Sequence, residues 1–248
     1  MDVNSNPLEK KLREWLENQG YPLEMEVAKG FANLGMNVIQ SDVYEDPETK
    51  AIREIDVTVS STTHKRGVYI YIGFQIECKL AKDKPWLLFS GDKDRRAFMP
   101  PFLNAFHTKI SQAFFERHIS YDYGPQQLLT TQMFQSEPVG FSLTQAFTTG
   151  PDVPYQAVMS SLKAALYQQA RLETIVVNDV PPPHKNYKLP CCGVIFPIIV
   201  IDGKLFQCYL DEASKVSVDE IPYGKTVSYT HLRAHETKAN LVCRLLLE

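Results

Sequence analysis

Apolar residues in the first third of the chain recur every three or four positions before the pattern changes. Leu8, Leu12, Trp15 and Leu16 in NPLEKKLREWLENQG mark one face of a helix that Gly20 is placed to end. Leu23, Val27, Phe31 and Leu34 mark a second helix, with Gly35 as its C-cap. The first is expected to dock on the surface by its apolar face. From Met36 to Ala81 the period falls to two, in three β-rich runs parted by turn chemistry at EDPETK and TTHKRG, which predicts an antiparallel three-strand meander. PWLLFSG adds a short strand or a turn. Helical spacing returns in FLNAFHTKISQAFFERHI, with Phe102, Phe106, Ile110 and Phe114 on one face, and in YQAVMSSLKAALYQQARLE. The stretch between these helices carries no dominant period. After TIVVNDV and a proline break, GVIFPIIVIDGKLFQCYLDE sets Asp202-Gly203 between apolar runs, a two-residue hairpin signal. The order of elements predicts an α/β fold, a central mixed sheet containing the meander and flanked by helices.

Composition narrows the class. With 248 residues, 44% hydrophobic and 22% charged, the chain has the makeup of a globular protein, and no repeat or low-complexity linker divides it. One domain is expected over 1–225, with a core at about 21–115 and a C-terminal extension over 116–225. No apolar run approaches the ~20 residues of a membrane span, and the opening MDVNSNPLEKK is too polar for a secretory signal, so the expectation is cytoplasmic, without membrane association. The five cysteines lack CxxC spacing and a His/Cys pattern, so neither zinc nor a disulfide framework is indicated. GxxxxGK[ST] and GxGxxG are absent, which removes support for nucleotide hydrolysis or a dinucleotide cofactor. The net charge of −3 gives no global attraction to nucleic acid, so such binding needs a local basic patch.

The last 23 residues stand apart. Val227 to Thr237 back-translate codon by codon into DNA resembling a transposase-type sequencing adaptor, and NLVCRLLLE resembles the flow-cell primer that follows it. Residues 226–248 are therefore expected to be a non-native tail, and His231, His235 and Cys243 to carry no function.

Candidate chemistry sits at the end of the third predicted strand, YIYIGFQIECKLA. Alternation puts Ile72, Phe74, Ile76, Cys78 and Leu80 on one face and Gln75, Glu77 and Lys79 on the other. In the preceding strand Ile55, Val57 and Val59 share the apolar face, with Glu54, Asp56 and Thr58 opposite. Pairing through the STTHKRG turn brings Asp56 and Glu77 to neighbouring positions near one sheet edge. Two adjacent carboxylates repel, so a cation between them is favourable, and a hard divalent ion is its natural identity. Magnesium, with manganese as a substitute, takes one or two carboxylates together with water and phosphate oxygens, which suits phosphoryl chemistry. Lys79 beside it is placed to orient or deprotonate the attacking water. On the second helix, Glu24 borders the buried stripe whereas Glu26 has solvent-like neighbours.

Asp56 within REIDV, Glu77-Cys78-Lys79 at the end of the next strand, and a preceding helix bearing Glu24 resemble the PD-(D/E)XK nuclease superfamily. The likeness covers roughly Leu23 to Lys84, and Ile55 stands where the family name has proline. It implies a restriction-endonuclease-like core and a metal-dependent nuclease hydrolysing DNA phosphodiester bonds. It further implies Asp56, Glu77 and the Cys78 backbone carbonyl as magnesium ligands, Lys79 as the catalytic lysine, and Glu24 completing or supporting the metal site.

Beyond the triplet, Lys82, Lys84, Lys93, Arg95 and Arg96 interleave with Trp86 and Phe89, a basic rim with an aromatic suited to a phosphate backbone and a stacked base. Together with Gln75, the residues Lys82, Lys84, Trp86, Arg95 and Arg96 form the candidate nucleic-acid surface. DNA is the expected partner, and RNA differs only in the groove walls. The rival expectation is a catalytically inactive nuclease-fold module binding DNA or a protein partner. For assembly, a homodimer or a partner in genome defence is the corresponding expectation.

Overall fold

The computed structural model describes residues 6–91, 105–119, 138–174, 190–228 and 239–244. The chain opens with helix α1 (Pro7–Glu17), started by Pro7 and by the Asn6 side chain, which accepts the Leu8 N–H at 3.1 Å. Contrary to the docking expected of it, α1 buries none of its residues; Leu8 and Trp15 are more than half exposed. Its cap and the Glu9–Arg13 pair at 2.7 Å support it locally. Helix α2 (Tyr21–Asn33) does bury one stripe, Leu23, Val27 and Ala28, and Gly35 follows it at φ 75°, the left-handed conformation expected of its C-cap.

Strands β1 (Asn37–Glu45), β2 (Ile52–Lys65) and β3 (Val68–Phe89) are consecutive antiparallel neighbours. β3 runs far beyond the predicted third strand, straight through PWLLF. There follow β4 (Phe106–His107), α3 (Lys109–Ile119), β5 (Val139–Gly140), β6 (Ser142–Gln145), α4 (Val153–Thr174), β7 (Cys191–Leu210), β8 (Val216–Glu220), β9 (Tyr223–Ser228) and β10 (Ala239–Arg244). The sheet order is β1-β2-β3-β7-β10-β9-β5, with β4 and β8 paired to β7 and β6 to β3. Because β3–β7, β7–β10 and β9–β5 are parallel and the rest of that path antiparallel, the sheet is mixed and the meander forms only one edge of it.

Helices cover both faces. α2 packs on Val57, Val59, Ile76, Cys78 and Val200; α4 packs through Ala157, Val158, Leu162, Ala165 and Leu172 on Tyr71, Trp86, Leu88, Ile195, Ile199 and Ile201. Val200 faces one helix and its neighbours Ile199 and Ile201 the other, as strand alternation requires. The extension after residue 115 thus contributes a central strand and one whole helical layer. At roughly 1.5–3 kcal/mol per fully buried large aliphatic side chain, these two clusters dominate the stability.

Several local expectations are corrected. Phe106 lies in β4 instead of a helix because Thr108 ties the chain to β7: its N–H donates to the Gly193 carbonyl and its hydroxyl to the Cys191 carbonyl at 2.6 Å, so α3 begins only at Lys109. Phe102 lies outside the described residues, and Ile110 and Phe114 are partly exposed. Asp202-Gly203 makes no hairpin; β7 continues through it, and the turn to β8 comes at Asp211–Lys215 instead. There β3 spends Lys82–Pro85 as a bulge between the Ala81↔Gly203 and Trp86↔Leu205 pairs, and a Cβ at position 203 would collide with the Ala81 carbonyl oxygen. Gly203 serves close strand approach. The segment expected to be a non-native tail contributes β10 between β7 and β9; His231 and His235 lie outside the described residues.

Candidate active site

The β2–β3 ladder ends at Val57↔Ile76, and β6 reaches β3 only at Trp86↔Gln145. Between those points one flank of β3 lacks a strand partner among the described residues, and Glu77-Cys78-Lys79 lies in that gap. The cause is a switch of faces in both neighbouring strands. Val57 and Val59 pack in the α2 cluster, but Ile55 packs with Tyr44 and Ala164 of α4, so Ile55 does not share their face as alternation predicted. β1 turns in the same way, Val38 lying against the α2 cluster and Tyr44 against α4. The pivot is at Ser41, a non-glycine residue at φ 51°, and Asp56, which are skipped between the Gln40↔Val57 and Asp42↔Ile55 pairs.

Where the strands separate, Asp56 takes over the missing ladder bond: its Oδ2 accepts the Cys78 N–H at 2.7 Å. The Lys79 ammonium donates to Glu77 Oε1 at 2.6 Å and to the Cys78 carbonyl at 3.1 Å, and stands 3.8 Å from Asp56 Oδ2. Asp56, Glu77, the Cys78 carbonyl and Lys79 are therefore gathered at one point. Glu77 is buried and its second oxygen, Oε2, has no hydrogen-bond partner. Burial, opposed by Lys79 and reinforced by Asp56 and Glu24, pushes the Glu77 carboxyl up to about 7. Lys79 is held above its ordinary value: burial works against the ammonium, and the Glu77 and Asp56 carboxylates together outweigh it. Glu24, half-buried in the first turn of α2, is raised by burial and then by the Asp56 charge, with Lys79 acting in the opposite direction.

Tyr44 carried no sequence signal. Its ring is buried against α4, and its hydroxyl is raised by burial and by the Glu77 charge. Strict alternation along β1 would have sent it to the other face. Lys163 of α4 was missed as well; it bridges Asp46 at 2.9 Å and Glu48 at 2.7 Å in the β1–β2 turn.

The nucleic-acid candidates divide. Trp86 is fully buried in the α4 layer, so its ring is closed to a base, and Gln75 is buried with its Oε1 accepting from Thr58 at 3.0 Å. Neither is a surface contact; covering helices on both faces leave no polar side for those positions. Lys82 and Lys84 are exposed, Lys82 pairing with Asp202 at 3.3 Å, while Arg95 and Arg96 lie outside the described residues. Gln168 and Gln169 of α4 are occupied in holding the Tyr71 hydroxyl and the His107 carbonyl.

Among the described residues no three His, Cys, Asp or Glu side chains converge as a metal cage. The Asp56 carboxylate, the Glu77 carboxylate with its unpartnered Oε2 and the Cys78 carbonyl nevertheless fit a hard ion that keeps several waters, as magnesium does. Cys78, Cys191, Cys192 and Cys208 are free thiols, and no helix among the described residues is long and apolar enough to cross a membrane. Comparison of the chain with family models, curated proteins and solved structures found no match.

Proposed function

We propose that this protein is a magnesium-dependent nuclease of the PD-(D/E)XK, restriction-endonuclease-like type that hydrolyses DNA phosphodiester bonds. The observation that carries the reading is the buried Glu77 carboxylate, with Oε2 unpartnered, beside Asp56 and Lys79 in a gap of the sheet flank. A buried unsatisfied carboxylate oxygen costs stability, and such a cost is commonly retained at functional sites. Asp56, Glu77 and the Cys78 carbonyl would hold magnesium or manganese, and Glu24 would support its water shell. The ion supplies Lewis acidity and a more acidic bound water. Lys79 orients the attacking water and balances charge gathering on the phosphate, for which its ammonium stays protonated. Asp56 fixes the Cys78 peptide and so the direction of its carbonyl. Exposed Lys82 and Lys84, next along β3, suit contact with the phosphate backbone, and RNA remains the other polymer with that chemistry.

One observation favours the rival reading, a catalytically inactive nuclease-fold module that binds DNA or a protein partner: in this arrangement the Glu77–Lys79 ion pair at 2.6 Å is complete without any ion. Cleavage of supercoiled plasmid and of single-stranded DNA, with magnesium, with manganese and with chelator, separates the two. Metal-dependent nicking or degradation is expected. Intact substrates under all metals, with DNA still retained in a binding assay, would establish the module instead.

A further inference from the structure

The Lys79 ammonium touches the same three groups that the proposed function assigns to the divalent ion: Glu77 Oε1 at 2.6 Å, the Cys78 carbonyl at 3.1 Å and Asp56 Oδ2 at 3.8 Å. We propose that Lys79 is the resident counterion of the metal-free site, seated on the ligand oxygens, and that it must swing out of that seat for a divalent ion to bind. The inference rests on the metal-dependent reading above and adds to it an exchange of cations as the step that arms the site. Two cations a few ångströms apart at a partly buried position repel strongly, so the seat admits one or the other. Lys79 has the freedom to leave, having an unbranched stem with rotatable bonds and a side chain 26% exposed.

Calorimetric titration of magnesium and manganese into the wild-type protein and Lys79→Met, paired with acetylation footprinting of the wild-type protein, tests the exchange. The footprint compares Lys79 with the exposed Lys204 by peptide mass spectrometry, with and without saturating metal. About tenfold tighter metal binding to Lys79→Met is expected, the size of a typical coupling between competing ligands, together with a severalfold rise in Lys79 acetylation when metal is added. Tighter binding without the rise would mean that the charge acts only through space, and would overturn the exchange. Unchanged affinity with no rise would overturn it while leaving the metal site standing. Absence of binding to either protein would remove the metal reading and the exchange together. Should Lys79→Met fail to fold, the wild-type footprint decides alone.

Discussion

Burial sets the protonation of Glu77, and with it a pH dependence that runs opposite to that of most carboxylates. Its folded value of about 7 lies above the ordinary 4.5, so the folded state holds the proton more tightly than the unfolded chain. The stabilisation from this group is complete below about pH 4.5 and is lost as the pH rises through about 7, by at most ~1.4 kcal/mol per pH unit within that window. Chemical denaturation at several pH values should show the decline, and Glu77→Gln should flatten it; an unchanged slope in that variant would assign the effect to another group. Because a protonated carboxyl is a poor ligand, metal affinity should rise over the same window. The neighbours divide by role. Asp56→Asn and Lys79→Ala are each expected to abolish cleavage with folding intact, because the amide oxygen in the former can still accept the Cys78 N–H and the latter removes an ammonium only from a partly solvated seat. Circular dichroism with the plasmid assay checks both, and full activity in Lys79→Ala would eliminate the lysine from the mechanism. Cys78 points the other way, into the α2 cluster. Cys78→Ser buries a hydroxyl there and should cost about 1–3 kcal/mol in urea unfolding with little effect on turnover.

At the scale of elements, the site depends on how the β1–β2 hairpin is fastened to α4. Asp46, 2% exposed, accepts the Glu48 and Thr49 N–H groups and the Lys163 ammonium, and these bonds overcome the opposing effect of burial to hold its carboxyl at about 2. Its contribution is therefore present above about pH 3.8 and is lost as the pH falls towards 2. Asp46→Ala should destabilise by ~2 kcal/mol, since two turn amides lose their acceptor and Lys163 keeps only Glu48. An equal loss of stability at pH 2 and pH 7 would refute that account. The same hairpin marks where sequence reasoning stopped being enough. Helix α2, the three strands and α4 announced themselves by period, and Asp56, Glu77 and Lys79 by their position on two strands joined by one turn. The face switch at Ser41 and Asp56 was hidden, because a left-handed serine breaks alternation without changing composition. So was Tyr44, whose orientation follows from that switch. Trp86 misled because its lysine-rich surroundings belong to a β3 bulge whose flanking residues face the core. The Asp202-Gly203 signal was real in its chemistry, but long-range pairing with β3 claimed the glycine for close approach.

Across the whole molecule, the carboxylates of the site belong to β2 and β3, while α4, which packs on Ile199 and Ile201, the β7 partners of Glu77 and Lys79, comes far along the chain. β7, pairing with β3 through the site at Glu77↔Ile199, Cys78↔Val200 and Lys79↔Ile201, joins these two parts into one sheet. An ion held between Asp56 and Glu77 would bind the folded chain alone, because only the formed sheet brings the two carboxylates together, so its binding free energy should appear in global stability. A ligand specific to the folded state stabilises by about 2.7 kcal/mol at a hundredfold excess over its dissociation constant. For a chain of this length, each kcal/mol moves the melting temperature by roughly 2–4 °C, so saturating magnesium or manganese should raise it by about 5–10 °C. The rise should vanish with chelator and in an Asp56→Asn, Glu77→Gln double variant, which removes both anionic ligands at once. Exposed acidic residues elsewhere provide the internal comparison, since weak surface binding would survive in the double variant. A rise of equal size in both proteins would place the ion elsewhere, and no rise in either would leave the Glu77–Lys79 pair as a structural feature of a binding module.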